Sequence, residues 1–305
     1  MENIETLRGR DFLTLGDFSP SEIMGILGEA LRIKALQKRR IPHPYLSGRT
    51  LAMIFEKSST RTRVSFEVGM LQLGGQAIFL SSQDMQLGRG ESISDTAKVL
   101  SGYVDGIMIR TFAHETIQEL AEAADIPVIN GLTDLHHPAQ VMADLLTILE
   151  TKGRLQGLKM AYIGDGNNMA NSLVEGAALT GMTISAACPD GYGPAPEVVA
   201  AAGDAVSLVD DPREAVRNAD VVVTDVWASM GQEEEQQMRM KAFASYQVND
   251  ALVSAAASDY MFLHCLPAHR GEEVSASVID GPHSFVFPEA ENRLHAQKAI
   301  LKLLL

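Results

Sequence analysis

TLAMIFEKSSTRTRVSFEVGMLQLG, residues 50 to 74, passes from an apolar run through a polar turn into a helical pattern. TLAMIF reads as a buried strand ending at Phe55, and STRTRVSFEVGMLQLG reads as a helix with Val64, Val68 and Leu71 spaced to face a core. Ser59, Thr60, Arg61 and Thr62 then fall in its first turn, where backbone N–H groups lack helical partners and the helix dipole is positive. Two readings fit. In one, hydroxyl and guanidinium donors join those N–H groups to hold an anion such as a phosphate; in the other, the segment is a capped surface helix with solvated arginines. The glycines and lysine of a Walker loop are missing.

The same strand-then-helix unit recurs along the chain. A helix from Ser19-Pro20-Ser21-Glu22, which has capping-box spacing, to about Arg39 precedes it. QAIFLSS (76 to 82), DGIMIR (105 to 110) and IPVIN (126 to 130) read as strands, with ISDTAKVLSGYV and HETIQELAEAA as helices between them. A helix from near HHPAQ ends at Gly153, and a second series opens with LKMAYIG (158 to 164). MTISAACP, AVSLV, VVVTDVW and YMFLHCLP continue it as strands, and ENRLHAQKAILKLLL closes the chain as a helix. This order predicts an α/β fold of two lobes joined near residues 137 to 153, each a parallel sheet flanked by helices.

Composition narrows the function. The 305 residues suffice for two packed domains. A formal charge of −14 opposes binding to nucleic acid, which requires a basic face. No stretch has the unbroken apolar length of a membrane span, and MENIETLRGRDF carries acids where a secretory leader needs a basic and then an apolar run, so a cytoplasmic protein is expected. Cys188 and Cys265 are too few for a disulfide framework and lack the spacing of a thiolate metal site.

The remaining polar motifs sit at predicted strand ends. IGDGNNM (163 to 169) has glycines at 164 and 166, but Met169 stands where a dinucleotide fingerprint needs its third glycine, which argues against NAD. Asn167 and Asn168 occupy a ligand-binding position of an open α/β sheet, although asparagine also suits turns without any ligand. In TDVWASMGQEEE, Asp225 can pair with an ammonium, and the donors around Ser229, Met230 and Gly231 can receive a carboxylate, a pair that would suit an amino acid; an ordinary polar loop is the alternative reading. Cys265, in FLHCLPAHRGEEV, reads more readily as a small buried hydrophobe than as a nucleophile. His264 and His269 supply too few ligands to support a metal, and none is expected. Arg110 ends a strand, and His137 and Gln140 share a helical face.

Together and in this order, STRTR, HPAQ, DGNN, DVWASMGQE, HCLPAHRGEEV and PEAENR resemble the aspartate/ornithine carbamoyltransferase family over nearly the whole chain. The resemblance implies a carbamoyl phosphate domain at residues 1–140, an ornithine domain at 141–285 and a C-terminal helix at 286–305 that returns to the first domain, with bridging helices between the lobes. It implies carbamoyl phosphate contacts from Ser59, Thr60, Arg61, Thr62, Arg110, His137, Gln140, Cys265, Leu266 and Arg293. Gln86, in SSQDMQLGRGES, would reach a neighbouring subunit's site, so a homotrimer is implied, with higher assembly of trimers left open. Asn168, Asp225, Ser229 and Met230 would contact L-ornithine, while Arg110, His137, Cys265 and Asp225 would serve the reaction. Aspartate as acceptor would call for more basic groups in the second lobe. No cofactor is implied.

Overall fold

Residues 7–82, 85, 90–228 and 235–305 are described in the computed structural model. Among them the strands form two wholly parallel sheets, as the alternation of apolar runs and helical patterns predicts. The first contains β1 (Thr50–Phe55), β2 (Gln76–Ser81), β3 (Gly106–Arg110) and β4 (Val128–Leu132) in the order β2-β1-β3-β4. The second contains β5 (Lys159–Ile163), β6 (Thr183–Ala187), β7 (Val206–Val209), β8 (Val221–Thr224) and β9 (Met261–Leu263) in the order β7-β6-β5-β8-β9. In each sheet the chain reverses its direction of growth once, between β1 and β3 and between β5 and β8. Such switch points open a crevice at the carboxyl ends of the strands.

The helices are α1 (Pro20–Lys38), α2 (Thr60–Gln72), α3 (Ile93–Ser101), α4 (His114–Ala123), α5 (Pro138–Lys152), α6 (Asn168–Thr180), α7 (Pro196–Ala202), α8 (Pro212–Val216), α9 (Gln236–Ala242), α10 (Asp250–Val253), α11 (Ala276–Ile279) and α12 (Val286–Leu304). The capping box of α1 forms: Ser19 Oγ accepts the Glu22 N–H at 3.3 Å and Glu22 Oε2 accepts the Ser19 N–H at 2.7 Å. Helix α12 begins at Val286 and so takes Pro288 into its first turn, where a missing N–H costs nothing.

The chain divides into two compact units, Met1–Ala143 with Arg293–Leu305, and Asp144–Asn292. The boundaries cut α5 and α12. The first unit packs Ile54, Ile107 and Ile109 of its sheet against Ala97, Ile117 and Leu120 of α3 and α4. The second packs Ile163, Val222 and Phe262 with Ala215, Val248 and Val278.

One expectation fails. Val64 and Leu71 do not face a core: they are 49% and 72% exposed, and α2 buries Thr62, Phe66, Gly69 and Met70 instead. Both sets have helical spacing, and tertiary packing selects between them. A β-carbon on Gly69 would lie 3.4 Å from Lys298 and 3.7 Å from Leu294, so the close approach of α12 sets which side of α2 turns inward.

The link from β4 to α5 is held by buried polar groups. Thr133 N–H donates to the His136 carbonyl at 2.9 Å, His136 N–H donates to Thr133 Oγ1 at 3.0 Å, and His114 Nδ1 lies 3.1 Å from the same hydroxyl. Burial, with His114 beside it, pushes the His136 imidazole down to about 4. An unfolded histidine titrates near about 6.5, so below that pH the unfolded chain takes up a proton that the native chain rejects. The native state is therefore favoured at neutral pH and loses ground as pH falls from about 6.5 towards 4. We expect the denaturant midpoint to drop between about pH 7 and about pH 5, with about 2 kcal/mol of the loss removed in His136→Gln. An equal pH slope in that variant would remove His136 as the source.

Candidate active site

In the first unit, β1 and β3 run in register with Phe55 opposite Arg110, so the α2 N-terminus and the Arg110 side chain start from the same edge beside the switch point. Ser59 is the N-cap of α2 in an extended conformation (φ −160°, ψ 112°). Its hydroxyl accepts the Thr62 N–H at 3.2 Å and donates to Thr62 Oγ1 at 3.0 Å. This cap is what fixes the STRTR turn. Arg293, on α12, donates to the same Thr62 Oγ1 at 2.8 Å and to Gln140 Oε1 at 2.5 Å. Thr62, His137, Gln140 and Arg293 are all buried, and Arg61 is partly exposed. Arg63 turns elsewhere, stacking over Phe79 at 3.8 Å and pairing with Glu67.

Charge converges here. Burial first, and then the guanidinium groups of Arg293, Arg110 and Arg61, hold the His137 imidazole well below the usual histidine range. His137 is therefore neutral at physiological pH, a hydrogen-bonding group in a field of three cations. That combination suits an anionic ligand with a carbonyl-like acceptor.

The second unit gathers its groups at its own switch point. Asn167 caps α6, its Oδ1 accepting the Met169 N–H at 2.9 Å, and its Nδ2 donates to Asp225 Oδ2 at 2.8 Å. Asp225, just past β8, also accepts the Val226 N–H at 2.8 Å and the Cys265 thiol at 3.2 Å. It is 6% exposed. Asn168 is the first residue of α6 and partly exposed. Cys265 follows β9; burial and the neighbouring Asp225 carboxylate push its thiol well above the usual range, so it is a protonated donor and not an attacking thiolate. Leu266 adopts a left-handed backbone (φ 57°), which costs about 1–2 kcal/mol for an L-residue and is held by donation of its N–H to His264 Nδ1 at 2.9 Å.

The structure thus groups Ser59, Thr62, Gln140 and Arg293 by direct bonds, adds Arg61, Arg110 and His137 through their mutual field, and groups Asp225 with Cys265. Thr60 is exposed at the start of α2. Gln86, Ser229 and Met230 lie outside the described residues. Sequence reasoning missed the role of Asn167, whose amide bonds in two directions, and missed Arg239. The Arg239 guanidinium donates to Asp165 Oδ2 and to the Trp227 carbonyl, both at 2.9 Å, and lies 5.0 Å over the Tyr192 ring. It thereby ties the GDGNN turn to the segment after Asp225. A single arginine in a polar helix carries no signal of this kind.

Gly166 lies at the tightest backbone approach in that turn. A β-carbon there would sit 2.1 Å from the Gly193 carbonyl carbon and 2.3 Å from Pro194 N, where only backbone can yield. Its N–H donates to the Tyr192 carbonyl at 2.7 Å. Gly166→Ala is expected to cost about 1–3 kcal/mol, read as a lower urea midpoint at unchanged m-value. An unchanged midpoint would mean that this approach is not kept in solution.

Comparison with known proteins agrees along the whole chain. Residues 10–150 match the aspartate/ornithine carbamoyltransferase carbamoyl-P binding domain, and residues 156–304 match the Asp/Orn binding domain of the same family. The ornithine carbamoyltransferase of Bacillus subtilis is 62% identical over 98% of this chain and 95% of its own length. That of Carboxydothermus hydrogenoformans is 61% identical over 99% of each. Among solved structures, ornithine carbamoyltransferase from Pyrococcus furiosus superposes with a TM-score of 0.94 at 54% identity, covering 98% of this chain and 97% of that one.

Proposed function

Since the chain belongs to the aspartate/ornithine carbamoyltransferase family, we propose that it transfers the carbamoyl group of carbamoyl phosphate to the δ-amine of L-ornithine, giving L-citrulline and phosphate. The observation that carries this reading is the field of Arg61, Arg110 and Arg293 around a neutral His137 at the start of α2. The helix start with Arg61 holds the phosphate, and Ser59, Thr60 and Thr62 complete that cradle. Arg110 and neutral His137, with Gln140 beside them, polarise the carbamoyl oxygen.

In the reaction the amine lone pair attacks the carbamoyl carbon, and an oxyanion develops on the carbonyl oxygen. The tetrahedral species then collapses with cleavage of the bond to the phosphate oxygen, and the nitrogen gives up a proton to the leaving phosphate. Donors aimed at the developing oxyanion contribute most to the rate. Neutral His137 can donate without presenting an acidic proton to the amine. On the acceptor side, the Asp225 carboxylate, oriented by Asn167 and the Cys265 thiol, pairs with an ammonium of ornithine. Asn168, Ser229 and Met230 complete that subsite, and Leu266 borders it. Cys265 orients and does not attack, in keeping with its raised thiol.

The protein works as a homotrimer in which Gln86 serves a neighbouring subunit's site. The exposed Val64 and Leu71 on α2, with 48%-exposed Ile78 on the edge strand β2, support such self-association. No described helix is long and apolar enough to cross a membrane, and we place the activity in the cytoplasm. The reactive carboxylic–phosphoric anhydride of carbamoyl phosphate favours citrulline formation, which supports a role in arginine biosynthesis.

The deciding assay measures ureido product from carbamoyl phosphate with ornithine, aspartate, N-acetylornithine or putrescine in separate reactions. Product from ornithine alone is expected; product from another acceptor alone would overturn the Asp225 subsite, and none from any would overturn the reaction. Arg61→Ala is expected to lower turnover on the order of 10²–10³-fold with its unfolding midpoint retained, and near-normal turnover would refute the cradle. Because a free alkyl amine has a pKa of about 10.4, kcat/KM for ornithine is expected to rise with pH across neutrality. A flat profile would mean that the protonated amine binds and passes its proton to a group that stays on the enzyme.

A further inference from the structure

The turn after Cys265 and Leu266 holds a set of donor atoms that the transfer reaction does not use. Within residues 269–273 the Glu272 N–H donates to the His269 carbonyl at 2.9 Å, and the His269 N–H donates to Glu273 Oε1 at 2.6 Å. The turn brings His269 Nδ1 to 3.7 Å from Glu272 Oε2 and 3.8 Å from Glu273 Oε2. One ligand atom from each residue lies within 4.8 Å of the others. His269 is half exposed, Glu272 partly so, and Glu273 fully buried.

Glu273 brings an unsatisfied buried acceptor to this turn. Its Oε1 is used twice, by the His269 N–H and by His264 Nε2 at 3.1 Å. His264 Nδ1 accepts the Leu266 N–H, which puts the ring proton on Nε2 and makes His264 a donor to the carboxylate. Glu273 Oε2 is buried and has no hydrogen-bond partner among the described residues. Nor does any described lysine or arginine pair with this carboxylate; only His264 and His269 approach it. A buried carboxylate oxygen without donor or cation is costly, and a cation placed between it and the half-exposed imidazole removes that cost.

We propose that His269 Nδ1, Glu272 Oε2 and Glu273 Oε2 bind a divalent first-row transition cation of the Zn²⁺ class. Zn–N and Zn–O bonds of about 2.0–2.2 Å in a tetrahedral site imply ligand atoms roughly 3.3–3.6 Å apart. The observed 3.7 and 3.8 Å need a contraction of only a few tenths of an ångström. One imidazole with two carboxylates favours Zn²⁺, Co²⁺ or Mn²⁺ over Ca²⁺, and the exposed side of His269 leaves the fourth position to water. Sequence reasoning counted His264 and His269 and found too few ligands; the turn supplies the missing ones as carboxylates. Occupancy would fix Glu273, and through it His264 and the backbone that carries Cys265 and Leu266. A rival cluster of Asp225, His264 and Cys265 also has donor atoms within 4.8 Å of one another. Both His264 nitrogens are already engaged there, which leaves that cluster a carboxylate and a thiol only.

Co²⁺ titration of the full-length metal-free protein separates the two. We expect one Co²⁺ per chain, d–d bands of four- or five-coordinate cobalt and no thiolate-to-cobalt charge-transfer band. Affinity should fall at least about 10-fold in His269→Ala and in Glu272→Gln, both partly exposed positions, and persist in Cys265→Ser. Wild-type affinity in His269→Ala, a thiolate charge-transfer band, or no saturable binding would each overturn the site. The test reads the ion itself, so its failure leaves the transferase reading untouched.

Discussion

In a parallel sheet every strand delivers the chain to the same edge, and where the strand order reverses, the two outgoing connections diverge and leave a crevice. That constraint organises both units of this protein. In the first, β1 hands on to the STRTR turn on one side of the reversal and β3 ends in Arg110 on the other. In the second, β5 leads to Asn167 and Asn168 while β8 leads to Asp225. Polar side chains distant in sequence are thereby brought to adjacent strand ends without a dedicated scaffold.

The two crevices differ in electrostatic design. The first collects guanidinium groups and a helix N-terminus, and its histidine is kept neutral by that charge as well as by burial. The second is organised around a carboxylate, with an amide, a backbone N–H and a thiol all donating to Asp225. Three donors on one buried carboxylate fix its orientation and leave one of its about four acceptor sites for a further partner. An anion-seeking unit and an ammonium-seeking unit in one chain match the two ligand classes expected of a donor phosphate and an amino-acid acceptor.

Polar tethers carry much of the positioning. The PEAENR segment of α12 illustrates this within each unit separately. Glu289 accepts the His264 N–H at 2.9 Å and Asn292 donates to Thr147 and Glu150 in the second unit, while Arg293 bonds Thr62 and Gln140 in the first. Arg239 has a comparable part, since its buried guanidinium satisfies Asp165 and the Trp227 carbonyl together. Glu289, Asn292 and Arg239 touch no reacting atom in the proposed chemistry, yet they set where the groups that do are held.

The sequence by itself determined the alternation of strands and helices, the Ser19 and Ser59 caps and the presence of polar residues at strand ends, because these depend on neighbours within a turn or two of the chain. It did not determine which face of α2 is buried. The Val64–Leu71 and Phe66–Met70 stripes are both compatible with helical spacing, and only the approach of α12 at Gly69 chose between them. Nor could it assign partners across the chain. Asn167 meets Asp225 across 58 positions and Arg293 meets Thr62 across 231, separations at which periodicity carries no information. The tertiary structure decided the strand order, and with it the switch points and the charge around His137, because each is a product of non-local packing rather than of local propensity.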